Sequence, residues 1–164
     1  MNAAPVEWGA FARAAPELAV HARRLLYQDN EHASAYLATV APDGGPRVHP
    51  VFPVLADEAL WLFIVDMSPK YRDLLRQPHL ALHAFPTVAG GEELQLRGVG
   101  EHVSDRETRS RIVAATGGRQ GAHPFEALFR CRLDSVLVTH WENWGTGQAW
   151  PSYLKWRSGG GSVV

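Results

Sequence analysis

Residues 35–85 read AYLATVAPDGGPRVHPVFPVLADEALWLFIVDMSPKYRDLLRQPHLALHAF, and this stretch decides the fold that the sequence predicts. An apolar, β-branched run, Ala35–Val40, ends at the turn residues Pro42–Gly45. Proline presets φ and Asp-Gly tolerates positive φ, as a tight hairpin requires. The chain then resumes as an extended segment, Arg47–Val54, and as a second apolar run, Leu60–Val65. This succession predicts a β-meander.

Two features modify the meander. Pro50 and Pro53 cannot donate to a sheet ladder, so Arg47–Val54 is predicted to be an edge strand or to contain a bulge. After the meander, Lys70–Gln77 has helical periodicity over about two turns, and Pro78 ends the helix. Its apolar face is expected to carry Tyr71, Leu74 and Leu75, and its polar face Lys70, Arg72 and Arg76.

The flanking sequence predicts further strands and helices. The predicted elements are a helix from Pro16 to about Gln28, strands over Leu80–Ala84, Glu93–Val103 and Phe125–Trp141, and a helix from Arg106 to about Ala115. Gly98 and Gly100 lie inside the alternating strand, where glycine indicates a bulge or the close approach of another group. Six or so strands joined mostly by hairpins, with two or three helices, predict a mainly β fold, a small closed or partly closed antiparallel barrel.

The length of 164 residues favours one domain. We expect this domain to span residues 1–157, with an N-terminal helical segment over residues 1–30 and a tryptophan-rich segment over residues 142–157. The aromatic side chains of the last segment need a surface to cover, so they either pack on the barrel end and a partner subunit or line a ligand pocket. Residues 158–164, SGGGSVV, are predicted to be disordered.

The composition excludes several classes of function. Sixteen Lys and Arg against 17 Asp and Glu give a net charge of −1, so no global field attracts nucleic acid or an anionic membrane. No apolar run approaches the roughly 18–20 residues that span a bilayer, and a cytoplasmic protein is expected. The single cysteine, Cys131, has no partner for a disulfide or a zinc site and is predicted to be a small core residue. The eight histidines lack the paired spacing of a metal site.

One cluster of residues has the chemistry of an anion site. Ser68 and Lys70 lie at a helix N-terminus, where free N–H groups and the helix dipole favour an anion such as a phosphate. Arg47 begins the neighbouring strand and can complete a clamp, and His49 points toward the same cleft. Gln95 offers an amide that both donates and accepts. For each residue the alternative is an ordinary role, as a helix cap or an exposed side chain.

The order of these motifs resembles the flavin-binding split-barrel superfamily to which the pyridoxamine 5′-phosphate oxidases belong. The matching marks are YLATVAPDGGPRVHPV, Ser68-Pro69-Lys70, the run LLRQPHLAL, and Gln95 five residues before Gly100. The resemblance implies a six-stranded antiparallel split β-barrel of Greek-key type, assembled as a homodimer. It also implies flavin mononucleotide (FMN) in clefts shared between protomers, and an oxidoreductase that acts on a small molecule.

The resemblance also implies which residues form the site. Those expected to bind the cofactor are Thr39, Arg47, Val48, His49, Phe63, Ile64, Ser68, Lys70 and Gln95. Those expected to contact the substrate are His49, Trp144 and Trp150. No protein nucleophile is expected, because a flavin supplies the difficult chemistry itself.

The chain departs from the oxidase pattern in three places. Pro69 stands where the oxidases have the arginine of a Ser-Arg-Lys element, and Phe52 stands where they have a lysine. The C-terminal sequence WENWGTGQAWPSYLKWR does not match the oxidases' substrate-binding region. Pyridoxamine phosphate is therefore not the expected substrate. Three alternatives stay open: a deazaflavin (F420)-dependent reductase, a heme-binding or heme-degrading split barrel, and a non-catalytic flavin-binding protein.

Overall fold

A computed structural model describes the backbone of residues 3–163 and the side chains of residues 3–160. Within this range the chain forms four helices and nine strands. The helices are α1 (Trp8–Ala14), α2 (Pro16–Tyr27), α3 (Pro69–Arg76) and α4 (Arg106–Ala115). The strands are β1 (Ala35–Val40), β2 (Pro46–Val51), β3 (Val54–Ala56), β4 (Ala59–Val65), β5 (His79–Ala84), β6 (Glu92–Val103), β7 (Glu126–Glu142), β8 (Trp150–Arg157) and β9 (Gly160–Val163).

The predicted mainly β fold with peripheral helices is confirmed, but the strand count of six is wrong. The predicted strand over Arg47–Val54 is divided, because β2 ends at Val51 and β3 begins at Val54. Pro53, between them, has no amide hydrogen for a continuous ladder. The tryptophan-rich segment adds another strand, since β8 pairs with β7 from Ser135↔Arg157 to Glu142↔Trp150.

The strands pair in the order β2-β1-β5-β6-β7-β4-β3, and β8 and β9 extend from β7. Strands β2 and β3 therefore lie at opposite ends of the paired path, although only Phe52 and Pro53 separate them along the chain. The sheet must curl to bring its two ends together, as in a barrel. Hydrogen bonds between β2 and β3 do not close it, because neither strand pairs with the other.

The C-terminal tail differs from its prediction. The sequence predicts disorder over residues 158–164, whereas β9 pairs with β8 at Lys155↔Val163 and Arg157↔Gly160. Residue 164 lies outside the described range. Backbone pairing to an already ordered strand stabilises a glycine-rich segment that has little side-chain signal of its own.

The core joins the two ends of the chain. The rings of Phe11 on α1 and Trp156 on β8 have centroids 5.0 Å apart, and both side chains are buried. Helix α2 buries Leu18, Leu25 and Leu26 against the sheet. The N-terminal segment therefore packs on the body of the protein. None of the described helices is long and apolar enough to cross a membrane.

A β-bulge interrupts the pairing of β6 with β7 beside Gly98, where the glycines predicted one. One step of β6, from Arg97 to Gly98, lies opposite two steps of β7, so Asp134 on β7 is the extra residue and β7 bends there. A Cβ on Gly98 would lie 1.8 Å from the carbonyl oxygen of Arg132, so this position requires glycine.

Candidate functional site

The site is built around Asp73, a carboxylate on α3 whose side chain is only 2% exposed. Thr39 on β1 donates its hydroxyl to Asp73 Oδ2 at 2.9 Å, and Arg47 Nε lies 3.3 Å from the same oxygen. Arg76 Nη2 lies 3.5 Å from Asp73 Oδ1. Because Thr39 and Arg47 are directly opposite each other on β1 and β2, both reach the carboxylate from one face of the sheet.

The N-terminus of α3 is held by Ser68. Its Oγ accepts a hydrogen bond from the Tyr71 amide at 3.4 Å and donates one to the Val65 carbonyl at 2.6 Å. Ser68 is thus an N-cap residue, and Pro69 occupies the first helical turn, where its missing amide hydrogen costs nothing. This geometry confirms a helix beginning within the Ser68-Pro69-Lys70 element.

The three basic side chains of the cluster are held differently. Arg76 also donates to the carbonyl oxygen of Val40, so its guanidinium fastens α3 to β1. Arg47 contacts Asp73 through Nε, and its Nη groups make no hydrogen bond within the described residues. Lys70 has neither an ion pair nor a hydrogen bond there, and partial burial lowers the pKa of its ammonium group. Arg47 and Lys70 are therefore available to an anion.

His49 lies beside this cluster, opposite Leu37 in the β1–β2 register. Burial lowers the pKa of His49 below 6.5, and the positive charges of Lys70 and Arg47 lower it further, against the opposing effect of Asp73. Its Nε2 atom is buried and has no hydrogen-bond partner in the described part of the chain. The imidazole is consequently neutral at pH 7 and offers a nitrogen to a bound group.

Three of the predicted cofactor contacts have side chains that are already packed or hydrogen-bonded within the chain. Ile64 is fully buried, so only its backbone can meet a ligand. The Phe63 ring carries the guanidinium of Arg109 at 5.5 Å from its centroid, and Gly121 packs against its edge so closely that a Cβ would lie 2.3 Å away. The buried Thr39 likewise spends its hydroxyl on Asp73.

Gln95 lies on the other face of the sheet. It pairs with His83 on β5, which in turn pairs with Tyr36 on β1. Successive residues of a strand point to opposite faces, and Tyr36 precedes the buried Leu37. We call the face that carries Tyr36, His83 and Gln95 the outer face; Val48, 60% exposed, also belongs to it. Within one chain, Gln95 and Arg47 therefore point away from each other.

Trp144 and Trp150 lie at the far end of the sheet from Lys70. Trp144 packs on Gly90 and Gly91 just before β6, and the two tryptophans are 55% and 73% exposed. Lys70 lies toward the opposite end of β6, since Leu74 of α3 packs near Gly100, nine residues and roughly 30 Å along the strand from Gly91. One chain does not bring the tryptophans to the anion cluster.

The sequence interpretation missed Asp73 and misplaced Leu75. Leu75 is 52% exposed, and Asp73 occupies the buried face of α3 in its place. An available signal was the spacing Asp73-x-x-Arg76, which puts opposite charges on one side of a helix. A helix of about two turns is too short for its periodicity to show that Asp73, and not Leu75, faces the barrel.

Two other types of site find no support. No group of three His, Cys, Asp or Glu residues suited to a metal ion occurs among the described residues. Cys131 is fully buried, and burial raises the pKa of its thiol to about 12. A thiol with that pKa is not a nucleophile at neutral pH, so the predicted core role of Cys131 is confirmed.

The residues present fit the phosphate of a flavin. A phosphate monoester carries close to two negative charges and three acceptor oxygens. Arg47 and Lys70 supply two cations, whose Nη groups and ammonium group are not used by other described residues, and the capped N-terminus of α3 adds its dipole. The cluster is thus suited to an anion of this kind.

Comparison with known proteins identifies a family and similar folds. The sequence model of the pyridoxamine 5′-phosphate oxidase family matches residues 23–137. A search of curated proteins gave no match. The following similarities to solved structures, each below 25% identity, concern the fold alone.

Three solved structures illustrate the similarity. The heme storage protein HutZ of Vibrio cholerae is 19% identical, with 73% of this chain and 89% of that chain covered and a TM-score of 0.57. ChuZ of Campylobacter jejuni is 15% identical, with 91% and 63% covered and a TM-score of 0.68. An F420 reductase is 21% identical, with 69% and 94% covered and a TM-score of 0.52. Since the family match spans well over half of the sequence, the chain belongs to the pyridoxamine 5′-phosphate oxidase family.

Proposed function

We propose that this protein binds FMN between two copies of the chain and acts as an oxidoreductase on a small molecule other than pyridoxamine phosphate. The observation that carries the proposal is the cation pair at the start of α3. Arg47 contacts the buried carboxylate of Asp73, Lys70 lies in the first turn of the same helix, and both positive charges act on His49. The Nη groups of Arg47 and the ammonium group of Lys70 have no partner in the described chain.

The charge balance supports a dianionic ligand. Asp73 contacts two cations, Arg47 and Arg76, and neutralises the charge of one of them, while Lys70 near His49 has no carboxylate partner in the described chain. A net positive charge therefore remains beside a helix N-terminus, where a phosphate is stabilised by hydrogen bonds to cations and by the helix dipole. Arg76 is committed to Val40, so it positions α3 while the other two contact the ligand.

The need for a second copy follows from the two faces of the sheet. Gln95 points to the outer face, whereas Arg47 points inward beside Thr39. A homodimer that packs outer face against outer face brings the amide of one copy to the cofactor held by the other. The exposed apolar side chains Tyr36 and Val48 support this packing, because large exposed apolar patches mark interaction surfaces.

The contacts, burial and charge of each residue indicate its role toward a bound cofactor. FMN, when bound, supplies hydride or electron transfer, so the chain needs to bind and orient it. Arg47 and Lys70 hold the phosphate, Ser68 fixes the helix end, and neutral His49 offers its buried Nε2 near the same cleft. The exclusion of pyridoxamine phosphate rests on the three departures from the oxidase pattern, among them Phe52, 50% exposed, where the oxidases have a lysine.

Cofactor titration tests the proposal. Purified protein should show flavin absorbance or bind added FMN with a dissociation constant at or below the micromolar range. The double variant Arg47→Ala, Lys70→Ala should weaken binding by at least 100-fold, since each charge-assisted hydrogen bond contributes about 1.5–3 kcal/mol. Tighter binding of F420 than of FMN would favour the reductase alternative, and FMN binding without reduction by nicotinamide nucleotides would favour a non-catalytic flavin protein.

A heme protein is the second candidate, and His83 favours it. Its Nδ1 lies 2.8 Å from the carbonyl oxygen of Ala84, which can only accept, so Nδ1 carries the hydrogen and Nε2 is left to bind a metal. His83 lies on the outer face, next to Gln95. Titration with hemin tests this role: a Soret band lost in His83→Ala but kept in His102→Ala would support it.

A further inference from the structure

A polar cavity of about 350 Å³, separate from the cluster around Asp73, lies on the outer face, where β6, β7 and β8 pass close to the N-terminal residues. Its lining includes Arg97, Ser135 and Arg157 from the three strands, and Pro5 from the N-terminal segment. Cavities of this size accommodate small organic molecules. None of the residues that form the clamp around Asp73 lines this cavity.

The two arginines occupy one cross-strand row. Ser135 on β7 pairs with Arg97 on β6 and with Arg157 on β8, so all three side chains lie on the same face. The Cα atoms of the arginines are separated by two strand spacings, about 10 Å. Two arginine side chains span that distance, so both guanidinium groups can meet above the serine.

Neither arginine side chain has a partner among the described residues. Arg97 and Arg157 are exposed, and their side chains form no ion pair or hydrogen bond within that range. Six arginines outside the clamp each pair with a carboxylate: Arg13, Arg24, Arg111, Arg119, Arg130 and Arg132. Arg72 and Arg106 are unpaired there as well, but they do not line this cavity, whereas Arg97 and Arg157 both do.

The only carboxylate in the lining does not neutralise the row. Asp134 accepts the Ser135 hydroxyl at 2.9 Å and contacts neither guanidinium. Ser135 is small and its hydroxyl is turned toward Asp134, so the space between the arginines stays open. The lining contains two arginines and one aspartate, so its net charge is positive even when His79, which also lines the cavity, is counted as neutral.

We propose that this cavity is a binding site for the phosphate group of a small organic molecule, held between Arg97 and Arg157. Each guanidinium presents a planar fork of donors, and two forks match the several oxygens and the double charge of a phosphate monoester. The site does not depend on the proposed flavin role, because its residues are distinct from Arg47 and Lys70. Arg97 follows Gln95 by two residues on the same face, so the bound molecule lies beside the surface that Gln95 presents.

Residue-resolved NMR titration tests the site, because it separates this cavity from the clamp. Inorganic phosphate at pH 7 and low ionic strength should shift the signals of Arg97, Ser135 and Arg157 saturably, with a millimolar dissociation constant. Glycerol 3-phosphate should bind at least as tightly, because the cavity has room for the organic part. Acetate, with one charge, should bind at least threefold more weakly.

The variants complete the test. The double variant Arg97→Gln, Arg157→Gln should weaken phosphate binding at this cavity at least tenfold, while Arg106→Gln, an exposed arginine on α4, should not. A thermal midpoint within 2 °C of the wild type, roughly the effect of a surface change, shows that the double variant is folded. Shifts confined to Arg47 and Lys70, equal affinity for acetate and phosphate, or unchanged binding in the double variant would each overturn the proposal.

Discussion

Replacement of Asp73 by asparagine probes the residue on which the site is built. The change keeps the shape of the side chain and removes the charge that Arg47 and Arg76 share at 3.3 and 3.5 Å. Removing one partner of a fully buried ion pair costs about 3–5 kcal/mol. The arginine side chains are 32% and 41% exposed, so solvent compensates them in part. We expect a loss of about 2–3 kcal/mol in the free energy of unfolding.

Thermal and urea denaturation at pH 7 measure this loss. A chain of this length loses roughly 2–4 °C in melting temperature per kcal/mol, so Asp73→Asn should melt about 5–10 °C lower. Asp66→Asn is the matched control, because that exposed aspartate just before α3 makes no side-chain hydrogen bond among the described residues. If both variants melted within 1 °C of the wild type, roughly the error of such comparisons, Asp73 would not organise the cluster.

Three other perturbations have defined outcomes. Gly98→Ala should lower the free energy of unfolding by about 3 kcal/mol or prevent folding, because the new Cβ would lie 1.8 Å from the Arg132 carbonyl oxygen. Gly147→Ala, at a position with open space around it, should leave the free energy of unfolding unchanged in the same denaturation assay. NMR titration of the His49 imidazole should give a pKa below 6.5, which rises in Lys70→Met and on phosphate binding at the clamp. Because this pKa is lower in the folded chain, the unfolded chain binds a proton on His49 more tightly than the folded chain does. The free energy of unfolding should therefore decline as the pH falls from 6.5 through the folded-state pKa of His49. A folded-state pKa at or above 6.5 would contradict this. Arg24→Ala should cost about 0.5 kcal/mol at pH 7. The hydrogen bond from Arg24 holds the pKa of Glu92 below 4.5, so the cost of Arg24→Ala should vanish as the pH falls through the folded-state pKa of Glu92. A cost that persisted at pH 2 would show that the Arg24–Glu92 ion pair is not its cause.

The elements with strong local signals were predictable from the sequence. Strand β1 ends at its proline and glycine turn, α2 begins at Pro16, and α3 ends before Pro78, because these residues restrict the backbone whatever surrounds them. Pairing at the chain end was not predictable. Strands β8 and β9 lie in a segment rich in glycine, proline and tryptophan, and they are ordered by hydrogen bonds to β7 and to each other. Such long-range pairing leaves little trace in local periodicity.

The helix start of the candidate site was predictable from the sequence, and the organisation of the site was not. The spacing of Ser68, Lys70 and Arg47 predicted an anion clamp, which stays a prediction, and the structure brings Arg47 against Asp73 on the helix that Ser68 caps. The buried partner Asp73 was missed, because a short helix gives too few turns to tell which polar residue faces inward. The opposite orientations of Arg47 and Gln95 depend on strand register, which sequence spacing alone does not give.

The similar solved structures include a heme storage protein and an F420 reductase, so this fold accommodates more than one cofactor. Fold alone does not specify chemistry, and the groups at the site must decide it. In the site that we propose, those groups are Arg47 and Lys70, whose Nη and ammonium groups have no partner among the described residues, and His49, whose pKa is lowered below 6.5 by burial.

The most direct test of the phosphate clamp compares FMN with riboflavin, which has the same ring and no phosphate. We predict that wild-type protein binds FMN at least 100-fold more tightly than riboflavin, in keeping with two charge-assisted contacts of about 1.5–3 kcal/mol each. Lys70→Met should lower FMN affinity 10- to 100-fold and leave riboflavin affinity unchanged, while Arg72→Met, on the exposed side of α3, should change neither. Equal affinity of the wild type for FMN and riboflavin would contradict the account.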